Sequence, residues 1–450
     1  MNNTFKYFDE ILKIPRPSGH ENKIADFLVD FAKQRNFEVY RDKSNNVLIN
    51  KNNNSNKTII LQGHIDMVCD SVCGFIKDYV NTPINYKIED DYYKGDKTTL
   101  GADNGIGVAI ILSLLEENNS NLPNIQALFT TEEETTMNGA KNFDYSKLKS
   151  KTLLSIDGIR EGTIESSSAG ICNYEIYFPK PEILKEKIKT RYVVLSGLQG
   201  GHSGDDINKH RENAISLLFN FLPNDSQISK MIGGSKANII PNHAEVLFLN
   251  NSNSLITEDD IKKLFPHEKN LHIEGHNLES ETLFSKEDSK NIIKLVSNLP
   301  TGTISVDKEN FPITSANIGT IDNYKLVYSI RSSDKEELKR IKQNIADLCK
   351  KLGFKYKLIA EAPFFPFIEN SKLRKTLLSS YKKLYNKEPK IVKIHACMEG
   401  GIFAENIENL DITVISPDVF DIHTINERVS ISSTNRVYCW ILETLKEISS

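Results

Sequence analysis

The chain of 450 residues is 39% hydrophobic and 26% charged, with a formal net charge of -4. That composition fits a soluble globular protein, and the length exceeds what one hydrophobic core serves, so two or three domains are expected. With no large acidic or basic block, and no run near the roughly 20 apolar residues of a membrane helix, neither nucleic acid nor membrane is an expected partner.

Met1–Leu12 mixes Lys6, Asp9 and Glu10 with apolar residues and lacks the apolar stretch of a secretory signal. The cysteines, Cys69, Cys73, Cys172, Cys349, Cys397 and Cys439, are scattered, so reduced thiols and a cytoplasmic location are expected. Ser18-Gly19-His20-Glu21 has the form of a capping box opening a helix towards Ala32, with His20 as a helix-start residue. Glu38–Arg41 and Asn46–Ile49 read as short strands, and Thr58–Leu61, a β-branched run ending at Gly63, as a buried one. Asp103 can cap a helix Gly105–Glu117 that shows Val108, Ile111, Leu112 and Leu115 on one face. Asn124–Phe129 and Thr152–Ile156 are further strands. Strands alternating with helices predict an α/β fold with a mainly parallel sheet in the first third.

The pattern changes after about residue 171. A strand Arg191–Leu195, a helix Glu212–Leu222 and strand-like Ala237–Ile240 and Ala244–Leu249 come first. A strand Lys325–Ile330, a helix Lys335–Leu352 and a strand Phe354–Ala360 follow. No ligand-type clusters stand at their ends, which suggests a separate α+β domain. Pro363-Phe364-Phe365-Pro366 looks like a return hinge. A helix Lys372–Leu384 and strands Ile391–Ile394 and Ile412–Ile415 then resume the first pattern. The expected organisation is one domain from residues 1–171 and 363–450, with residues 172–362 inserted into it.

Ligands of open α/β sheets bind beyond the carboxyl ends of strands, and here acids and histidines stand just past apolar runs. His64 and Asp66 lie two apart at a strand end, so both face one way; His64 can ligate a metal while Asp66 fixes its ring. Asp103, in Gly101-Ala102-Asp103-Asn104-Gly105-Ile106-Gly107, can bridge two metals or act as a plain N-cap. The Gly105-x-Gly107 pair is not a nucleotide loop, because the third glycine and the preceding strand are missing. Glu132-Glu133-Glu134 follows Ala127-Leu128-Phe129 and can supply one ligand and one free carboxylate as general base, or form a solvated loop. Asp157 ends a strand, and His423 sits in Asp421-Ile422-His423-Thr424. Each alone can be structural; two histidines and three acids together suffice for two metals sharing one carboxylate. His202, in a glycine loop, is a candidate oxyanion stabiliser. Arg331 can clamp a carboxylate or form a surface salt bridge. His210, His243, His267, His272, His276 and His395 are read as non-ligands.

Together these motifs closely resemble the co-catalytic dizinc peptidase family that includes peptidase T, carboxypeptidase G and carnosinase. Within it they look most like the bacterial aminoacyl-histidine dipeptidases, also called cytosol non-specific dipeptidases. The resemblance runs from Ile14-Pro15-Arg16 to His423-Thr424-Ile425-Asn426-Glu427-Arg428, nearly the whole chain. It implies a phosphorylase/hydrolase-like catalytic domain, an inserted lid domain that forms a homodimer, and two Zn²⁺ ions replaceable by Mn²⁺ or Co²⁺. The implied ligands are His64, Asp103 as the bridge, Glu134, Asp157 and His423, with Asp66 orienting His64. Thr131 and Gly139-Ala140 set the register of the acids: Glu133 is the general base and Glu132 the variable residue. His202 matches a lid histidine that in dimeric relatives reaches the partner's active site. Asn238 and Arg331 match positions that hold substrate carbonyl and carboxylate. His395-Ala396-Cys397-Met398-Glu399-Gly400-Gly401 resembles a substrate-side loop, which makes Gly400 and Gly401 candidate substrate contacts. Thr136 and Cys397 replace common glycines. The implied activity is hydrolysis of Xaa-His and other unblocked dipeptides by a hydroxide held between the two zinc ions. An aminoacylase or tripeptidase of the same fold is the alternative, and a non-catalytic metal-binding scaffold is the alternative of a different class.

Overall fold

The computed structural model describes residues 2–119, 121–158, 160–223, 225–249 and 258–449. The chain divides into two units: Met1–Ser167 with Phe365–Ile394 and Glu399–Ser450, and Ser168–Phe364 with His395–Met398.

The first unit is built on an eight-stranded sheet. In sheet order its strands are Glu38–Arg41, Val47–Lys51, Asn124–Thr130, Thr58–His64, Thr152–Ser155, Asp411–Val414, Thr163–Glu165 and Lys390–Val392. Four of the seven neighbouring pairs are parallel, including those around Thr58–His64. The Glu38–Arg41 edge and the junction of Asp411–Val414 with Thr163–Glu165 are antiparallel, so the sheet is mixed around a parallel centre. The central strands are near-continuous apolar runs, as expected where a sheet is covered on both faces. The helix Ala102–Leu115 is apolar all round and buried at every position except Asp103. Thr4–Leu12 and Ile431–Ser449 pack against it.

A small antiparallel sheet in the same unit joins Val419–Phe420, Arg428–Ser430, Tyr92–Gly95 and Tyr86–Glu89. Phe420 pairs with Arg428, so His423 stands in the connection of a hairpin. Asp421 (φ 52°) and His423 (φ 62°) both take the left-handed conformation there.

The second unit carries a nine-stranded sheet whose described pairings are all antiparallel. The helices Ala214–Asn220, Lys286–Asn298 and Lys335–Leu352 bury Leu218, Ile292, Val296, Ile341 and Ile345 in its core. The first of these is shorter than its sequence pattern predicts because Asn213 caps it, accepting from the N–H groups of Ile215 and Ser216. Among the described residues no helix is long and apolar enough to cross a membrane.

Candidate metal centre

Strand register brings the first donors to one level. His64 pairs opposite Thr130, and Gln62 opposite Ser155, so Asp157, two residues beyond Ser155, comes level with His64. The turn after Thr130 delivers Glu133 and Glu134. All of these lie at or beyond the carboxyl ends of parallel strands. Asp103 comes from the start of the buried helix, where Asp103 (φ -79°, ψ 107°) and Asn104 (φ -108°, ψ 27°) are not helical. The expected N-cap therefore does not form. Asp103 instead turns one oxygen to each histidine: Oδ1 lies 3.1 Å from His64 Nε2, and Oδ2 lies 3.3 Å from His423 Nε2. His64 Nε2 is also 3.4 Å from Asp157 Oδ1, and His423 Nε2 is 3.0 Å from Glu134 Oε2.

Three sets of donors thus converge, each with ligand atoms within 4.8 Å: His64, Asp103 and Asp157; Asp103, Glu134 and His423; His64, Glu133 and Glu134. Each joins carboxylate oxygens to an imidazole nitrogen, a donor chemistry that fits zinc and neighbouring divalent cations. The protonation balance fits as well. Burial pushes the Asp157 carboxyl up to about 6, the charges of Asp103 and Glu134 adding to it. Burial also holds Glu133 well above the ordinary range, with Asp157, Glu134 and Glu399 adding to it. Hydrogen bonds to Asp103 and Glu134 push His423 up to about 10. Carboxyls pushed up at Asp157 and Glu133 together with an imidazole pushed up at His423 mark a cluster short of positive charge.

Asp66 organises this edge from behind. Its carboxylate lies 3.2 Å from His64 Nδ1, accepts from the N–H groups of Glu133 (3.1 Å) and Glu134 (3.2 Å), and accepts from the Ser18 hydroxyl at 2.7 Å. Glu132 turns away, accepting from Thr136 Oγ1 (2.6 Å) and Asn138 Nδ2 (3.2 Å). The three adjacent acids are therefore not one solvated run: one closes its own turn and two face the cluster.

In the second unit, Gly201–His202 pairs with Ile239–Ile240, which sets His202 beside Asn238. His202 Nδ1 accepts from the N–H groups of Gly204 (3.3 Å) and Asp205 (3.2 Å). Arg331 pairs opposite Ser315, whose hydroxyl is 2.7 Å from His395 Nε2. Arg331 is 5% exposed and its Nε has no hydrogen-bond partner among the described residues, so it is not the surface salt bridge considered from sequence. Burial, then the Arg331 charge, lowers His395 to about 4.

The pattern of the peptidase family M20/M25/M40 matches residues 60–447. The chain belongs to that family. It is 30% identical over 471 residues to the cytosol non-specific dipeptidase of Escherichia coli (strain K12), covering 98% of this chain and 96% of the relative. The structure resembles the aminoacylhistidine dipeptidase of Vibrio alginolyticus with a TM-score of 0.85 and 28% identity, covering 99% of this chain and 96% of the other. A Staphylococcus aureus tripeptidase shares the fold at a TM-score of 0.62 and 18% identity, over 99% of this chain and 98% of the other. As an M20 metallopeptidase the chain uses divalent metal, and the donor sets above are the candidate site.

Against the M20 frame, several local readings change. Ser18–Glu21 is not a capping box: the helix is Asn22–Gln34, its start has no side-chain cap, and Ser18 serves Asp66. Glu21 instead accepts from the N–H groups of Gly19 (2.7 Å) and Glu132 (3.2 Å). Gly400 and Gly401 open a short buried helix, where a Cβ at Gly400 would come within 2.8 Å of Phe365. Glu399 was missed as an individual residue. It is buried, accepts from Gln62 Nε2 and Thr130 Oγ1 (both 2.7 Å), and has its carboxyl pushed up to about 8 by burial. An acid between a methionine and two glycines in an apolar stretch was the only local signal for it.

Proposed function

We propose that this metallopeptidase is a dipeptidase that hydrolyses unblocked dipeptides, Xaa-His among them, with two Zn²⁺ ions as its native cations. The observation that carries the reading is the Asp103 carboxylate, 3.1 Å from His64 and 3.3 Å from His423, with a further acid beside each imidazole. That arrangement suits two cations sharing one carboxylate. The dipeptidase names of two relatives, 30% and 28% identical to this chain, support the substrate class. A cytoplasmic homodimer, paired through the second unit acting as lid, completes the reading.

Bound here, the cations supply Lewis-acid polarisation of the peptide carbonyl and a water acidified towards pKa ~7. The protein's own groups do the rest. Glu133, half-buried and with its carboxyl held well above the ordinary range, takes the proton of the attacking water and returns it to the leaving amine. Asp66 holds the Glu133 and Glu134 backbone so that one acid stays free while its neighbour ligates. His202 is assigned to the oxyanion, Asn238 to the substrate carbonyl and Arg331 to the substrate carboxylate, with Gly400 and Gly401 on the substrate side. Recognition of the substrate carboxylate would select by peptide length.

The test is hydrolysis of β-Ala-His and several α-dipeptides before and after chelation and re-addition of Zn²⁺ or Mn²⁺. Metal-restored cleavage of dipeptides, with tripeptides and acylated amino acids untouched, is the expected result. Preference for acylated amino acids or tripeptides would replace the substrate class, and a metal-loaded protein without turnover on any of them would leave a binding scaffold.

A further inference from the structure

Three segments bring Asp103 and its two imidazoles together: His64–Asp66, Gly101–Asp103 and the hairpin connection carrying His423. Two buried charges that offer no atom to the donor sets tie these segments. Glu427, 2% exposed, accepts from the N–H groups of Leu100 (2.7 Å), Gly101 (2.8 Å) and Asp103 itself (3.1 Å). Arg16, 1% exposed, donates to the carbonyls of Ile65 (3.1 Å) and Asp66 (2.8 Å), and through Nη2 to Gly101. A carboxylate thus takes the N–H groups and a guanidinium the carbonyl of one short loop. Arg16 joins that loop to the backbone behind His64. Glu427, four residues from His423, joins it to the hairpin.

The glycines of the motif make this possible. Gly101 is left-handed (φ 71°), and a Cβ there would lie 2.6 Å from both Arg16 Nη2 and Met67 Sδ. A Cβ at Gly105 would also lie 2.6 Å from Arg16 Nη2. Gly101 and Gly105 are therefore the seat of a guanidinium. Leaving either buried charge without its partners is strongly unfavourable.

We propose that Arg16 and Glu427 are positioning residues that fix the Asp103 carboxylate between His64 and His423, so that cation affinity depends on them. This rests on the reading of Asp103 as a shared ligand. The experiment titrates the cation-free full-length protein with Co²⁺, reading stoichiometry and affinity by calorimetry and geometry from the Co²⁺ absorption spectrum. Glu427→Gln keeps the shape but turns an amide NH₂ towards backbone donors; Arg16→Lys keeps the charge but loses the fork. Both are expected to weaken Co²⁺ binding about 10–100-fold and to alter its spectrum. Glu427→Asp, which restores the carboxylate, is expected to recover part of the loss.

Glu268 in the second unit is the control. It is buried and accepts from the N–H groups of Gln199 and Glu212 (both 2.9 Å). Glu268→Gln is expected to lower Tm yet leave Co²⁺ binding and spectrum unchanged. Wild-type affinity and spectrum in Arg16→Lys and in any folded Glu427→Gln would overturn the proposal, as would an equal loss of affinity in Glu268→Gln. A wild-type protein that binds no Co²⁺ would overturn the site reading, and this proposal with it.

Discussion

The first unit crowds Asp103, Glu133, Glu134 and Asp157 around two imidazoles, whereas the second buries Arg331 beside Ser315 and a histidine kept neutral. One cluster holds Asp157, Glu133 and His423 all above their ordinary values, the mark of missing positive charge. The other holds a guanidinium whose Nε has no partner among the described residues. The difference teaches that the sign of buried charge states what kind of ligand a site can take: divalent cations in the first unit and, on the function proposed above, a carboxylate in the second.

Removing the cations is the harshest test of that contrast. Exhaustive chelation is expected to abolish turnover and to lower Tm, because a ligand present at 100 times its Kd stabilises the folded state by about 2.7 kcal/mol. Calorimetric scans with and without chelator check it; an unchanged Tm would deny the first cluster its cations. Glu133→Gln is expected to lower kcat by about 10²–10⁴ while leaving the cation content intact. Parallel kinetics and metal analysis decide this, and lost metal would make Glu133 a ligand. Arg331→Met removes a charge-assisted contact worth about 1.5–3 kcal/mol. It is expected to lower kcat/KM roughly 10–100-fold for dipeptides with a free carboxylate and to spare the same peptides amidated at that end.

The smallest effect at neutral pH concerns His395. Its folded pKa of about 4 lies below the ordinary histidine value of 6.5. As pH falls through that window the unfolded chain takes up a proton that the folded chain refuses, so stability is lost on acidification, by up to ~1.4 kcal/mol per pH unit. Thermal melts of wild type and His395→Gln between pH 7 and 4 should converge as the wild type loses this increment. Parallel curves would remove His395 from the account.

Elements framed by their own residues were legible in the sequence. Glu38–Arg41, Ala244–Leu249 and Lys335–Leu352 match their patterns end to end, and the donors could be found because they stand just past apolar runs. What escaped depends on distant partners. Ser18 has the spacing of a cap, but its hydroxyl goes to Asp66, 48 residues away. The glycines at 101 and 105 gave no sign of Arg16, which fills the space beside them. The strand Gly170–Tyr177 alternates buried and less buried positions, yet glycine and cysteine among the inward residues hid the period of two.

His395–Met398 groups with the second unit although it follows Phe364 by some thirty residues. In the language of recombination, that unit is not a cassette with two crossovers. A chimaera exchanging only residues 168–364 with a relative would import Arg331 and Ser315 but retain the host's His395, pairing a hydroxyl and a ring selected in different backgrounds. Faithful transplantation requires four crossovers, the last two bracketing a tetrapeptide.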